Sequence, residues 1–546
     1  MRFTRSLCLA FFGLSCVTTS SLAFQTHPSP TSSKRFSTTQ SSNLVLHATS
    51  KKKKELPVYE ITSKQELDDY FADKQERFRK KNGDIDYDTL LKQLSVKGDT
   101  QILGSKDTDF YHPVLKLLHD RRRNKSPLTP VDQIREDGRK VALIVEGGGM
   151  RGCVTAGMVG CLYYLGLENT FDVIYGSSAG TIIGSYFNTR QLPWFGPEIY
   201  YDSLTTAGKR FIDSKRLLRT LGLGLLDPRL IKDVLIRRDF GKPVLNLDFL
   251  LKDCLQKDKK LNWEKFVEMS KLQPIKVVAS GLKSEKSVVF DMANGGFNNL
   301  EEFANAAHGS CLLPGIAGPL MNYDANASKT NTPKFFVGND VDRDGVEPLA
   351  DALIFEPLPF RTALREGATD VVVLRSRPDG TDVTGKTSIF EKLIFRRFFK
   401  KKNKLKNIYK YMRRHGQKRI YAELVLELNE ATRGDGDKSM MAIAVPPGSK
   451  EVTRLETRRE EIFDGVRRGF ARAYDALVED PNERGRGMEV AKQVLPDEIL
   501  DYDPLAIDAG DMSAFEYYLK DMAAKGEPVQ LPKYAGLTAE EANLPR

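Results

Sequence analysis

The chain has 546 residues, with 83 Lys and Arg against 73 Asp and Glu, a formal charge of +10, and a hydrophobic fraction of 40%. That balance, with 42 Gly, 26 Pro and 6 Cys, excludes a disordered polymer, a collagen-like fibre and a small disulfide-built scaffold. Length alone suggests three or four domains of ~150 residues, and one core of ~250–300 residues with flanking extensions accounts for it equally well.

Arg2 and Arg5 precede an apolar run, Leu7 to Val17, and then small residues from Thr18 to Ala23, the order of a secretory signal. The run is shorter than the ~20 apolar residues of a membrane span. Gln25 to Ser50 is rich in Ser and Thr and has no Asp or Glu, the composition of a transit peptide. Together they resemble a bipartite presequence of the secondary-plastid type over residues 1–50. The expected location is therefore a plastid, with secretion as runner-up. No later segment reaches transmembrane length, so the mature chain is expected to be soluble or peripheral to a membrane.

Residues 51–139 open with Lys51 to Lys54 and read as a charged helical extension. Helices are expected over 63–81 and 86–96, with a third ending at Arg121–Arg123. No chemistry is assigned to them. From Lys140 the character changes. Val141 to Val145 is a short apolar run bounded by glycines and reads as a buried strand; a Gly-rich turn and a helix to Leu167 follow. A second strand, Phe171 to Tyr175, runs into another turn and helix. Two such units in succession indicate α/β architecture with a mainly parallel sheet. Further strands are expected at 275–279, 287–290, 334–337 and 370–374.

Residues 386–419 carry fourteen Lys and Arg and one acid, a net +13 that exceeds the charge of the whole chain. Beyond Gly448, Leu455, Ile462, Phe463, Val466, Phe470, Tyr474 and Leu477 form an apolar stripe at helical spacing. The resulting division is a catalytic region over 140–380, a basic and helical part over 381–480, and an acidic, weakly packed extension over 481–546. Cys153 and Cys161 read as small core residues, and the later cysteines show no paired or metal-like spacing.

The first turn, Glu146-Gly147-Gly148-Gly149-Met150-Arg151-Gly152, makes a nest of N–H groups at a helix N-terminus. Such a nest holds a phosphate or a developing oxyanion equally well. The second turn, Gly176-Ser177-Ser178-Ala179-Gly180, follows a strand and opens a helix, the context of a nucleophile elbow with Ser178 as nucleophile. A histidine base is poorly placed: His308 reads as a helix-face residue, and His415 lies inside the basic run.

These residues resemble the patatin-like phospholipases, particularly their bacterial branch. The resemblance covers residues 140–480, including Thr453 to Thr457, and implies a three-layer α/β/α fold with a Ser–Asp dyad and no histidine, metal or cofactor. It assigns the oxyanion hole to Gly147, Gly148, Gly149, Met150, Arg151 and Gly152, and the nucleophile to Ser178. Gly309-Ser310 through Pro314 loosely matches a further family motif. Asp351, with Pro359 eight residues on and Gly367-Ala368 sixteen on, reproduces the spacing around the dyad Asp. Asp344, followed by Gly345, is the alternative, at the wrong spacing. Two positions depart from the pattern: Glu146 stands where many relatives carry Asp, and Ala352 stands where the family has glycine. If that glycine needs φ > 0, alanine costs on the order of 1 kcal/mol and turns the carboxylate. Arg151 either places a headgroup or ties its loop to a neighbouring carboxylate.

The expected function is a serine lipid acyl hydrolase cleaving acyl esters of membrane glycerolipids. The competing readings are an inactive lipid-binding relative and a nucleotide-binding protein built on the Gly-rich loop. Aromatics interleaved with Arg396, Arg397, Lys400, Lys401, Lys402, Lys404 and Lys406 suit single-stranded nucleic acid or an interfacial helix. Beside an esterase core the anionic membrane surface is the favoured partner and nucleic acid the disfavoured one; a plain solvated face is the alternative. No protein partner is assigned.

Overall fold

Five consecutive apolar residues, Val141–Val145, form strand β1, and a strand without polar alternation must be covered on both faces. The computed structural model describes residues 112–191, 195–216, 243–327, 333–338, 343–381, 383, 389–432, 439–503 and 514–526. The expected presequence over 1–50 and the helices expected over 63–81 and 86–96 lie outside the described residues.

The other strands are β2 (Val173–Ser177), β3 (Ile275–Gly281), β4 (Lys286–Phe290), β5 (Met321–Asp324), β6 (Phe335–Val337), β7 (Val346–Ala350), β8 (Asp370–Leu374) and β9 (Ser439–Ile443). They form one sheet in the order β6-β5-β7-β3-β2-β1-β8-β9, with β4 also on β3. The run β3-β2-β1-β8-β9 is parallel, and the remaining pairings are antiparallel. Strands β1, β2 and β8 are buried at every residue, as a sheet covered by helices on both faces requires. The fold is a three-layer α/β/α with a mainly parallel sheet, as expected.

Packed around it are α1 (Pro113–Arg123), α2 (Gly152–Tyr164), α3 (Ala179–Asn188), α4 (Leu300–Cys311), α5 (Ile389–Phe395), α6 (Lys406–Arg413), α7 (Gly416–Thr432), α8 (Arg459–Leu477), α9 (Gly487–Val494) and α10 (Ala514–Ala524), with further helical segments between them, among them Phe249–Asp258 and Trp263–Met269. Every residue of α2 is buried. Its backbone meets that of α8 directly, because a Cβ at Gly157 would overlap the Val466 carbonyl and one at Gly469 the Val154 carbonyl. The apolar stripe of α8 is thereby drawn into the central core.

Both expected extensions are more firmly attached than their composition suggests. In α1, Arg121 is buried and pairs with Asp137 and Asp172 at 2.6 and 2.8 Å, and Leu115 and Leu118 are core residues. At the other end Val490, Val494, Ile499 and Phe515 join the same core. Arg459 holds the Leu500 and Tyr502 carbonyls at 2.9 and 2.7 Å. The weakly packed extension expected over 481–546 is therefore corrected for residues 487–502 and 514–518. Their apolar positions come in short sets between prolines and acids, too brief to register as a stripe.

Beyond β1 the chain passes to β2 and β3 on one side and later returns to β8 and β9 on the other. The carboxyl ends of strands at such a switch point are where α/β folds place ligands.

Candidate active site

Both glycine-bearing turns open at this edge, one after β1 and one after β2. Ser178 is the last residue before α3 and has φ 54° and ψ −127°. A non-glycine residue there stores on the order of 1–3 kcal/mol of strain and persists only where its surroundings fix it. They do so here. The Ser178 N–H donates to Ser310 Oγ at 2.7 Å, and Ser310 Oγ donates to the Val278 carbonyl at 2.6 Å. Ser177 turns away to donate to the Pro357 carbonyl at 2.8 Å. Gly176 and Gly180 are required by close approach, since Cβ atoms there would overlap Thr181 and the Val145 carbonyl. Ala179 begins α3 and lines the apolar side of the site.

The Ser178 hydroxyl donates to Asp351 Oδ2 at 2.8 Å, although the two lie 173 positions apart. Asp351 stands at the end of β7, where Ala350 pairs with Ser280 of β3. Its second oxygen accepts the Leu353 N–H at 2.9 Å. Burial pushes its carboxyl up to about 6, against lowering by the Leu353 N–H, Arg454 and the Ser178 hydroxyl. Ala352 is accommodated without strain: it occupies a right-handed 3₁₀ turn and has no positive φ. The inactive-relative reading loses its motive. Asp344 is exposed on the turn before β7, at the opposite end of the strand from Asp351. Neither His308 nor His415 lines the site.

To accept a proton from the Ser178 hydroxyl, Asp351 must be ionised. A kcat/KM profile should therefore rise about tenfold per pH unit below pH 6 and level off above it. The sign for stability is opposite. Because the folded value lies above the ordinary carboxylate value, this group's contribution is full below that ordinary value and is lost as pH rises through about 6.

The Gly-rich loop is held from behind. Ser376 Oγ donates to the Gly147 carbonyl at 2.8 Å, and Glu146 Oε2 accepts the Ser376 N–H at 2.5 Å. Gly148 and Gly149 have φ of 144° and 62° and line the cleft facing Ser178. Among the described residues their N–H groups have no acceptor, which leaves them for an oxyanion. The expected six-residue hole is narrowed. The Met150 N–H is taken by the Arg454 carbonyl at 3.1 Å, and the Gly152 N–H by the Gly149 and Met150 carbonyls. Gly147 N–H is spent weakly on Ser177 Oγ at 3.4 Å. Arg151 is buried and ties the loop down, with Nε 3.0 Å from Ser376 Oγ and Nη1 2.7 Å from Glu451 Oε1.

Ser178 sits between two spaces. On one side an open cleft is lined by Asp351, Arg377, Tyr421, Glu451 and Arg454. On the other, a narrow space is walled by apolar side chains including Ile182, Tyr200, Leu204, Phe211, Leu247 and Leu250. Ser310, Glu451, Arg454 and the apolar wall were not assigned roles from sequence; they come from distant segments and share no local pattern. Among the described residues no His, Cys, Asp and Glu cluster could hold a metal ion.

In the basic segment Arg396, Arg397, Lys400, Lys401, Lys402, Lys404 and Lys406 are all exposed, but the interleaved Phe395, Phe398, Phe399 and Tyr411 are buried. The expected mixture of aromatics and cations on one surface is thus corrected. The backbone turns the rings into the core, and the exposed apolar groups are instead Ile389 and Leu393 of α5. No helix among the described residues is long and apolar enough to cross a membrane.

Residues 143–364 match the family model described as patatin-like phospholipase. The matched segment runs from β1 past Asp351 and so includes both glycine-bearing turns; the chain is similar to that family over this segment. Among solved structures, VipD from Legionella pneumophila is similar at 12% identity over 75% of this chain and 92% of that one, with a TM-score of 0.29. The type III effector protein ExoU is similar at 13% identity over 71% of this chain and 63% of that one, TM-score 0.23. Human GIVD cytosolic phospholipase A2 is similar at 16% identity over 60% of this chain and 47% of that one, TM-score 0.25. The chain thus spans less than two thirds of the last two. Curated protein sequences give no match.

Proposed function

We propose that the chain is a serine lipid acyl hydrolase acting on membrane glycerolipids through an acyl-enzyme on Ser178, with Asp351 as base. One observation carries the reading: a strained, buried serine hydroxyl 2.8 Å from a carboxylate, set between a polar cleft and an apolar pocket. Asp351 accepts the Ser178 proton as Oγ attacks the ester carbonyl, whose acyl chain lies in the apolar pocket. The oxyanion faces the Gly148 and Gly149 N–H groups, where a single lost donor typically costs about 3–4 kcal/mol. Collapse expels the lyso-lipid alkoxide, which takes the proton from Asp351. Water, deprotonated by the same carboxylate, then attacks the acyl-serine and releases the fatty acid.

The exposed cations of 396–406 and the apolar Ile389 and Leu393 supply the membrane surface. They adjoin the cleft, since Glu391 of α5 and Gln417, Lys418 and Tyr421 of α7 line it. Each cation near an anionic bilayer contributes about 1 kcal/mol. Wild type should release fatty acid from anionic vesicles, and Ser178→Ala should not. Reversing Arg396, Arg397 and Lys400 to Glu should lower the ratio of vesicle to soluble-ester turnover roughly tenfold or more. An unchanged ratio would leave the segment a solvated face.

A further inference from the structure

We propose that the Tyr200 hydroxyl is a specificity group of the apolar pocket, donating to an oxygen on the first carbons of the acyl chain, so that the preferred substrates are esters of fatty acids hydroxylated near the ester end. This rests on the acyl hydrolase reading of the same site. The observation behind it is a polar atom out of place. Tyr200 lines the apolar pocket beside Ser178 and is 4% exposed. Among the described residues its hydroxyl has no hydrogen-bond partner. Buried tyrosines ordinarily find one, and others in the same core do. Tyr186 donates to the Lys259 carbonyl, Tyr175 to Glu366 Oε2 at 2.8 Å and Tyr411 to the Ile354 carbonyl at 2.9 Å. A phenylalanine at 200 would fill the same space without the desolvation cost of an unpaired hydroxyl.

The hydroxyl stands at the reactive end of the pocket. A Cβ added at Gly152, the first residue of α2, would come within 2.3 Å of the phenol oxygen and 3.1 Å of the Ala179 Cβ. The tip of the ring therefore lies between the end of the Gly-rich loop and the residue that follows Ser178. Cys311, which lines the same pocket, is within electrostatic reach of both Tyr200 and Asp351. With the ester carbonyl at Ser178 and its oxygen facing Gly148 and Gly149, the part of the chain that passes this tip is its first few carbons and not its methyl end. The ring is also held from behind. Arg459 of α8 donates to the Tyr201 carbonyl and to Asp202 Oδ1, both at 2.8 Å. A donor fixed in advance in this way loses little freedom when a partner arrives.

Burial pushes the phenol well above its ordinary range, so the hydroxyl stays a neutral donor across the working pH. A water molecule is the other occupant it could bind, and a buried water needs two or more polar partners. Apart from Ser178 and the thiol of Cys311, the remaining side chains of this wall are apolar, and glycines add none. Ser178 is already committed to Asp351 at 2.8 Å. A hydroxyl on carbon 3 of the acyl chain meets the need differently. It accepts from Tyr200 and donates its own proton to the ester oxygen of the same chain, so that neither group is left unpaired.

The test compares kcat/KM for nitrophenyl esters of tetradecanoic, 3-hydroxytetradecanoic and 12-hydroxytetradecanoic acid in neutral detergent micelles. Each value is divided by the ester's rate of alkaline hydrolysis, which removes the inductive effect of the hydroxyl. Wild type is expected to favour the 3-hydroxy chain over the plain one roughly five- to tenfold, the size of one neutral hydrogen bond, and to show no such preference for the 12-hydroxy chain. Tyr200→Phe should raise turnover of the plain ester and lower that of the 3-hydroxy ester, bringing their ratio to about one. A wild type without preference, a preference that survives in Tyr200→Phe, or an equal preference for the 12-hydroxy chain overturns the assignment while leaving the hydrolase reading intact. So does an equal loss on all three esters in Tyr200→Phe, which would make the residue a packing group. If wild type cleaves none of them, the hydrolase reading fails and binding judges the site. Calorimetry then compares 3-hydroxydecanoate with decanoate on Ser178→Ala, with and without Tyr200→Phe. Tighter binding of the hydroxylated acid that is lost with the phenol keeps the site; equal affinity, or binding of neither, overturns it.

Discussion

Asp351→Asn is expected to lower kcat on any acyl ester by roughly 10³-fold, within the range for removing a general base. The amide keeps the size of the carboxyl and can still accept a hydrogen bond from Ser178, so the elbow is retained. It cannot take the proton, and among the described residues neither His308 nor His415 lines the site to replace it. KM should change little. The same substitution removes a buried carboxylate that burial holds at about 6, so thermal stability should be higher than wild type at pH 8 and closer to it at pH 5. Steady-state kinetics and melting curves at both pH values check the pair. A loss of activity accompanied by lower stability at pH 8 would mark Asp351 as a structural group.

Gly149→Ala should cost about 10²- to 10³-fold in kcat, the usual effect of losing one oxyanion donor. One methyl group suffices. Gly149 has φ 62°, and an added Cβ would lie 2.7 Å from the Arg454 carbonyl. That carbonyl cannot retreat without releasing the Met150 N–H it binds. The loop must therefore shift, carrying the Gly148 and Gly149 N–H groups away from Ser178. Labelling of Ser178 by a small, highly reactive phosphonate should persist more than ester turnover does, because the dyad itself is untouched. A variant with wild-type kcat would show that these N–H groups do not hold the oxyanion.

The serine-bearing turn after β2 and the layout of the parallel sheet were legible because they are local. The runs 141–145 and 370–374 coincide with β1 and β8, since continuous apolar strands must be central. The second strand begins at Val173, two residues later than expected, and continues into the elbow. Strands β5, β7 and β9 escaped. Val-Glu-Pro-Leu-Ala in β7 carries a proline and an acid that an antiparallel strand outside the parallel run tolerates, and Ser-Met-Met-Ala-Ile in β9 has only one β-branched residue. Asp351 was reached through family spacing, because nothing in Asp-Ala-Leu marks a base. Which loop N–H groups remain open depends on Arg454, some three hundred positions away, and no local reading could have found that. The basic run was legible as charge and illegible as surface: its cations are exposed, but the side to which its phenylalanines turn is a tertiary fact.

The most direct measurement is covalent labelling of the purified chain by a fluorophosphonate, compared with Ser178→Ala and Asp351→Asn. A serine activated by a buried carboxylate predicts labelling of wild type at Ser178, its abolition in Ser178→Ala, and a loss of roughly 10³-fold in rate in Asp351→Asn. A folded wild type that stays unlabelled with and without anionic lipid, or labelling whose rate is unchanged in Asp351→Asn, would contradict the account.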